Sequence, residues 1–284
     1  MLGRFDATNV SHPAVSVITN IGYDHTDGEE GWRRKLAWEK AGIIRNNGIL
    51  CLGETDEDLE DIFINENPKE ILRRNIDFSA DVNELAIDGR HLNLRTPNGL
   101  YEDIFLPLHG EHQGSNAAIA LAAAEAFVET SLPLDVVQAG FQNVRLFGRF
   151  EVVASNPLII LDGAHNPPGA EAAAKTLRKS FSVDGKLILI LGMTKEKNTG
   201  WMLDCLEAEK ADLIICTEAA SPRAMPSSEL ALEAEKICSD VRIEVQPKEA
   251  LESALVYAGI GDLILATGSL YVVGAIRDAY MSLR

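Results

Sequence analysis

From Leu158 to Leu283, short uninterrupted apolar runs alternate with stretches of helical period, and no other feature constrains the fold as much. "PLIILDGAHNPPGAEAAAKTLRKSF" reads as an apolar strand, a loop and a helix. "KLILILGM" precedes the helix-forming "TGWMLDCLEAEKA", "DLIICTE" precedes "SSELALEAEKICS", "RIEVQ" precedes "KEALESALVYAG", and "DLILATGS" precedes "LYVVGAIRDAYMSL". Strands without a polar face must be covered on both sides, so these successive βα units predict a mostly parallel sheet with helices on both faces. "GRFEVVAS", just upstream, is expected to join by the tight "SNP" turn as an antiparallel strand. Ligands of such sheets bind beyond the carboxyl ends of the strands. The loops to watch are therefore "DGAHNP", "GMTKEKN", "TEAASPR" and "TGSLY".

The first half is more mixed. "AVSVITNIG" and "GILCLG" read as strands around a helix at Trp32–Ala41, and Leu59–Arg74 is expected to be helical. "FSADVNELAIDGRHLNLRTPNGLYEDIFLPL" alternates and carries the turn pairs Asp88-Gly89 and Asn98-Gly99, the signature of antiparallel hairpins. "GSNAAIALAAAEAFVE" predicts a buried, alanine-rich helix. A chain of 284 residues suits two domains at roughly 150 residues each, and the boundary is expected between Val144 and Gly148.

Acidic residues outnumber basic ones, 43 to 26, for a net charge of −17. Such a surface repels phosphates and anionic lipid, so neither nucleic acid nor membrane is an expected partner. An anionic substrate would need a local basic cluster or a bound cation to offset that field. The longest uncharged run, Leu263–Ile276, is too short for a bilayer, which takes about 20 residues. No signal peptide is read, because Arg4 and Asp6 interrupt the start. Cys51, Cys205, Cys216 and Cys238 form no CxxC pair. They read as reduced, buried thiols of a cytoplasmic protein rather than zinc or dithiol sites.

Four constellations could carry chemistry. In "LDGAHNPPGA", Asp162 ends a buried strand, Asn166 stands where a helix N-cap belongs, and Pro167 suits the first turn. A helix start just past a strand tip can receive an anion, and an Asp at the tip can accept from ribose hydroxyls. The plainer reading is a capped helix in which Asp162 and His165 bond only to backbone. "GYDHTD" puts His25 on a loop after a strand, as a structural imidazole or a metal ligand. Lys40, in "WRRKLAWEKAG", falls on helical period with the surface charges Lys35 and Glu39. Beside a dication a free ammonium would be repelled, whereas carbamylation by carbon dioxide would turn it into an anionic oxygen ligand. "LHGEHQGSNAAIA" puts His112, Gln113 and Asn116 at the start of a buried helix, where an amide caps the helix or pairs with a base edge. No GxxxxGK[ST] loop and no GxGxxG after a strand occurs in the sequence.

Taken in order, "GRFDATN", "ITNIGYDHTD", "EKAGII", "HQGSNAAIALAA", "GRFE", "LDGAHNPPG", "LGMTKEKN" and "ATGSLYVVG" resemble folylpolyglutamate synthase/dihydrofolate synthase, of the Mur ligase superfamily. The resemblance implies an α/β fold. A partial Mur ligase central domain, residues 1–147, would be followed by a Rossmann-like C-terminal domain, residues 148–284. It implies an ATP-dependent ligase, in which ATP phosphorylates a terminal carboxylate of folate or dihydropteroate and the amine of L-glutamate attacks the acyl phosphate. Mg2+ would neutralise the transferring phosphate. His25 is implied as a metal ligand and Lys40 as the carbamylated lysine. Asn116 is implied at the base of ATP, Arg149 at its phosphates, Asp162 at its ribose and His165 close by. Phe5, Asp6 and Ala7 are implied at the pteridine. No oligomeric state is implied.

The family also carries a TNGKGS-type phosphate loop and a glutamate metal ligand upstream of the stretch matching "GRFDATN". On this resemblance the chain is expected to begin inside the central domain and to be inactive alone. Leu2 and Asn198 depart from the family's usual Gly and Asp. A noncatalytic module binding nucleotide or folate and a Mur ligase of cell-wall synthesis stay open as other readings, with "DATN" and "ATGSLY" favouring folate.

Overall fold

The computed structural model describes residues 3–24, 26, 28–182 and 185–283. The chain forms two compact units. One comprises Met1–Pro107 with Glu111–Val144, and the other comprises Leu108–Gly110 with Arg145–Arg284.

In the first unit the elements run β1 (Val15–Ile18), α1 (Trp32–Ala41), β2 (Ile49–Leu52), α2 (Glu60–Ile64), β3 (Glu70–Arg73), β4 (Ser79–Ala86), β5 (Gly89–Thr96), β6 (Gly99–Leu106), α3 (His112–Val128) and α4 (Leu134–Gln142). β1, β2 and β3 form a parallel sheet in that order, and β4, β5 and β6 form an antiparallel meander. The two hairpins form as expected, but each turn falls one residue before the predicted pair: Ala86 is opposite Gly89 and Thr96 opposite Gly99, so the loops are Ile87-Asp88 and Pro97-Asn98, with Asp88 left-handed (φ 57°). α1 buries Leu36, Ala37 and Ala41 against Leu50, Leu52 and Phe63, which leaves Lys40 half-buried at its last turn.

The helix expected over Leu59–Arg74 is corrected by this fold. α2 ends at Ile64, and Glu70–Arg73 is a strand paired in parallel with β2, Ile49 opposite Glu70 and Leu52 opposite Arg73. Asn67 is left-handed (φ 55°) and Pro68 follows it. Proline supplies no N–H for helix and disfavours helical geometry in the residue before it.

The second unit contains β7 (Glu151–Ser155), β8 (Leu158–Leu161), α5 (Pro167–Ser180), β9 (Leu187–Leu191), α6 (Thr199–Cys205), β10 (Leu213–Cys216), α7 (Ser227–Ala234), β11 (Val241–Ile243), α8 (Pro247–Tyr257), β12 (Leu263–Thr267) and α9 (Leu270–Ser282). Its sheet runs β11-β10-β9-β12-β8-β7, parallel except for β7, which pairs antiparallel to β8 as the "SNP" turn predicts. Alternate strand residues feed two cores. Ile160, Leu189 and Leu265 pack with α5, α6 and α7. Ile159, Ile188 and Ile264 pack with α8 and α9. Uninterrupted apolar strands are what such a doubly covered sheet requires.

The helix expected over "TGWMLDCLEAEKA" is shorter than the pattern suggested. α6 stops at Cys205, Glu207 turns left-handed (φ 54°), and Ala208–Lys210 forms a 3-10 turn. Cys51, Cys216 and Cys238 are buried and unpaired, whereas Cys205 is only half-buried. Burial pushes the Cys51 and Cys216 thiols up to about 12, which suppresses their reactivity. Among the described residues no helix is long and apolar enough to cross a membrane.

Candidate active site

In the second unit β12 lies between β8 and β9, so the chain skips a strand position on leaving β8. That is the topological switch at which doubly wound sheets open a crevice. Asp162 stands at this edge, its N–H donating to Ala266 at 3.0 Å. Its carboxylate accepts from the Phe150 N–H on Oδ2 and the Ala164 N–H on Oδ1, both at 3.0 Å. The Gly163 N–H donates to the Gly148 carbonyl at 2.8 Å, so residues 148–150 are laced to the tip of β8. The lacing depends on two left-handed residues, Gly148 (φ 64°) and Phe150 (φ 50°). A bulky residue there is strained. Phe150 is held by ring packing at 5.5 Å from Phe181 and 6.5 Å from His109.

Between these two buried residues Arg149 is exposed. A Cβ on Gly163 would sit 2.2 Å from Leu270 Cδ2 and 2.8 Å from Arg149 Nη1, so glycine here lets both side chains lie close against the loop. Burial pushes the Asp162 carboxyl above its ordinary value, while the Ala164 and Phe150 N–H donors and the neighbouring Arg149 and His165 pull the other way. His165 Nδ1 lies 2.9 Å from the Gly163 carbonyl. A carbonyl only accepts, so Nδ1 carries the proton. Asn166 caps α5 by accepting from the Gly169 N–H at 2.9 Å, with Pro167 in the first turn, as the sequence predicts. The loop therefore gathers Arg149, Asp162 and His165 beside a helix start, an arrangement able to take an anion and a hydroxyl donor together.

In the first unit the segment before β1 docks on the end of α1. The Arg4 N–H donates to the Glu39 carbonyl at 2.8 Å, and Asn9 Nδ2 donates to the Arg4 and Gly42 carbonyls at 3.0 Å. Arg45 Nη2 donates to Asn9 O and Oδ1, both at 2.6 Å. The Arg4 guanidinium lies 4.1 Å from the Trp38 ring centroid. Gly3 and Gly42 permit the close approach: a Cβ on Gly42 would meet Arg4 Cα at 2.5 Å, and one on Gly3 would meet Lys40 Cα at 3.3 Å. Phe5, Asp6 and Ala7 are thus carried beside the turn that holds Lys40. Phe5 is 65% exposed, with its ring centroid 6.2 Å from Trp38. Asp6 caps the 3-10 turn Ala7–Val10, and hydrogen bonds from the Thr8 hydroxyl and N–H hold its carboxyl down at about 2. Lys40 Nζ makes no hydrogen bond or ion pair with a described residue.

Asn116 is exposed on the first turns of α3, where its Nδ2 donates to Gln113 Oε1 at 3.0 Å. Glu111, at the N-cap, makes no capping bond through its side chain. His25 lies outside the described residues. Among the described residues no group of three or more His, Cys, Asp or Glu side chains is arranged to hold a metal ion. A cavity of about 340 Å³ lined by Asn198, Thr199, Gly200, Met225, Glu229 and Glu233 contains none of the predicted site residues.

Sequence reasoning missed Glu54. Its carboxylate accepts from the Ile21 N–H at 2.8 Å and from Arg33 Nη2 at 3.2 Å, while Arg33 Nε donates to the Ile21 carbonyl at 3.3 Å. The two side chains clamp the root of the "NIGYDH" loop. Within "CLGETDED" Glu54 reads only as a turn residue, its Oε1 accepting from the Thr55 and Asp56 N–H groups, and the partners that give it this role lie 21 and 33 positions away.

Residues 2–124 match the Mur ligase middle domain, and residues 148–270 match the Mur ligase glutamate ligase domain. The chain belongs to the Mur ligase family. It is 34% identical to the dihydrofolate synthase/folylpolyglutamate synthase of Mycobacterium tuberculosis, over 99% of this chain and 63% of that relative. It is similar to the crystal structure of the M. tuberculosis folylpolyglutamate synthase complexed with ADP and AMPPCP, with a TM-score of 0.90 and 34% identity over 99% of this chain and 66% of that one. It is also similar to the bifunctional folylpolyglutamate synthase/dihydrofolate synthase of Yersinia pestis complexed with AMPPNP and a Mn ion, with a TM-score of 0.84 and 28% identity over 99% of this chain and 65% of that one. The chain thus spans between 63% and 66% of the length of these Mur ligases.

Proposed function

We propose that the two matched domains serve an ATP-dependent ligase that adds L-glutamate to a folate, or to dihydropteroate, through an acyl phosphate. The observation that carries this reading is the 34% identity to a folylpolyglutamate synthase along 99% of the chain. ATP gives its terminal phosphoryl group to the substrate carboxylate; the glutamate amine attacks the acyl carbon, the amide forms and phosphate leaves. In this reading Arg149 faces the phosphates, Asp162 accepts from the ribose, His165 stands beside the nucleotide and Asn116 meets the base. The exposed ring of Phe5, with Asp6 and Ala7, meets the pteridine.

A divalent cation, Mg2+ in this reading, supplies charge neutralisation at the transferring phosphate when bound. The candidate ligands are His25 and a carbamylated Lys40, whose amine makes no ion pair among the described residues. In this reading the protein works in the cytoplasm.

The sequence contains no GxxxxGK[ST] loop, so the backbone donors that cradle the β- and γ-phosphates have no counterpart of that type in these residues. The chain alone is expected to bind nucleotide without turnover. Joined to the part of the M. tuberculosis relative that it does not span, it should release phosphate from ATP, with Mg2+ and L-glutamate, only when a reduced folate or dihydropteroate is added. Phosphate release driven instead by a muramyl peptide overturns the folate assignment. Turnover by the chain alone overturns the assigned need for an added phosphate loop.

A further inference from the structure

We infer that Arg277 and Glu151 are positioning residues for Arg149: the ion pair they form at α9 fixes the loop that aims the Arg149 guanidinium at nucleotide phosphates. This rests on the reading of Arg149 as the residue that faces those phosphates.

Arg149 is exposed and stands between two left-handed residues, Gly148 and Phe150. A left-handed phenylalanine persists only where its surroundings over-determine it. The tip of β8 supplies one set of constraints, through the Asp162 carboxylate and the Gly163 N–H. Glu151 supplies another. Its Oε2 accepts from the Gly148 N–H at 2.9 Å, so the side chain closes a ring across Arg149. A carboxylate on a rotatable stem keeps such a bond only if it is itself held. Arg277, 126 positions away in sequence, holds it: its Nε donates to Glu151 Oε1 at 2.9 Å and to Oε2 at 3.2 Å. These bonds run in one direction, since a guanidinium only donates and an ionised carboxylate only accepts.

Arg277 is fixed in turn. Its guanidinium carbon lies 4.0 Å from the Phe147 ring centroid. The two charged side chains are largely covered, 25% exposed for Arg277 and 16% for Glu151, so water screens the pair less than it screens a surface ion pair. Leu270, Val273 and Arg277 fall on one face of α9. A Cβ on Gly148 would meet Val273 Cγ1 at 3.0 Å, which shows how closely the loop lies on that face. The loop is therefore seated on α9 by shape and tied to it by charge. Without the ion pair the Gly148 N–H loses its fixed acceptor, and Arg149 spreads over several orientations. Gathering it again on binding costs entropy, which nucleotide affinity registers.

The test is a double-mutant cycle on the 284-residue chain, with ATP dissociation constants measured by calorimetry. Arg149→Ala should weaken binding by about tenfold. Arg277→Met, which keeps an apolar stem and removes the donors, should weaken it by about fivefold. In the Arg149→Ala background the same substitution should change nothing. That last measurement isolates positioning, because a general loosening of the unit, or the loss of a positive charge near the phosphates, weakens binding in both backgrounds. Arg277→Lys, which keeps the charge, should recover part of the loss. Glu151→Gln should give the same pattern as Arg277→Met, and replaces it if the methionine variant does not fold. Equal weakening in both backgrounds, or none in either while Arg149→Ala does weaken binding, overturns the inference and leaves Arg149 at the phosphates. An Arg149→Ala chain that binds ATP as tightly as the wild type, or a wild type that does not bind it, overturns the phosphate reading of Arg149 and the inference with it.

Discussion

The loop after β8 and the segment that docks on α1 are built by opposite means. Around Asp162 most bonds are short in sequence: Asp162 to Ala164, Gly163 to His165 and Asn166 to Gly169, with the segment just before β7 supplying Phe150 and Gly148. Around Lys40 they reach across some thirty residues, from Arg4 to Glu39, Asn9 to Gly42 and Arg45 to Asn9. The first kind lies within the single stretch from Gly148 to Gly169. The second exists only once the chain has folded back on itself. A contiguous site can be read from its own motif, whereas a folded-back one needs its partners to be known.

The largest expected effect separates the two directly. Lys40→Ala, in the chain joined to the part of the mycobacterial relative that it does not span, should lower ligase activity by about 100-fold, with partial rescue by formate or acetate. Unchanged kinetics return Lys40 to ordinary surface charge. Next, Asp162→Ala leaves the Phe150 and Ala164 N–H groups without their acceptor and should destabilise the second unit by about 2–4 kcal/mol in urea unfolding. A loss below about 0.5 kcal/mol would mean that water replaces the carboxylate at no cost. Gly42→Ala drives a Cβ into the Arg4 backbone and should cost the first unit about 1–3 kcal/mol. The loss should come with protease sensitivity near Phe5–Asn9, and an unaltered digestion pattern would show that the docking tolerates the methyl group.

The smallest effect is on titration. Asp6, held low by Thr8, adds stability that is present above the ordinary carboxylate value and lost as pH falls through about 2. Asp162, raised by burial, carries instability that develops as pH rises from the ordinary value to its raised one, and acid relieves it. Carboxyl NMR titration should find Asp162 well above Asp6. Coincident midpoints would mean that Asp162 is better solvated than its surroundings suggest.

The same contrast explains what could be read in advance. The order and pairing sense of β7 and β8, the alternation of strands and helices, and the cap at Asn166 all follow from patterns a few residues long. The Leu59–Arg74 segment did not, because β3 is a strand by virtue of β2, some twenty positions away, and only Leu72 of its own residues is buried. The breaker was nonetheless present in "NENP". Glu54 was illegible for a related reason. Its role is to hold Ile21, and a residue that acts through another leaves no chemical signature of its own.

The second unit takes in Leu108–Gly110, which lie in sequence between β6 and α3. His109 there has its ring centroid 4.9 Å from Phe181. The stretch that matches the glutamate ligase domain begins only at residue 148, so residues 108–110 fold with this unit but lie outside the matched stretch. A recombination between relatives that exchanged everything from residue 145 onward would bring a new Phe150 and Phe181 to the old His109. Hybrids joined at the apparent border should therefore pack poorly around Phe150 unless residues 108–110 travel with the exchanged half, and parentage at position 109 should predict which of them fold.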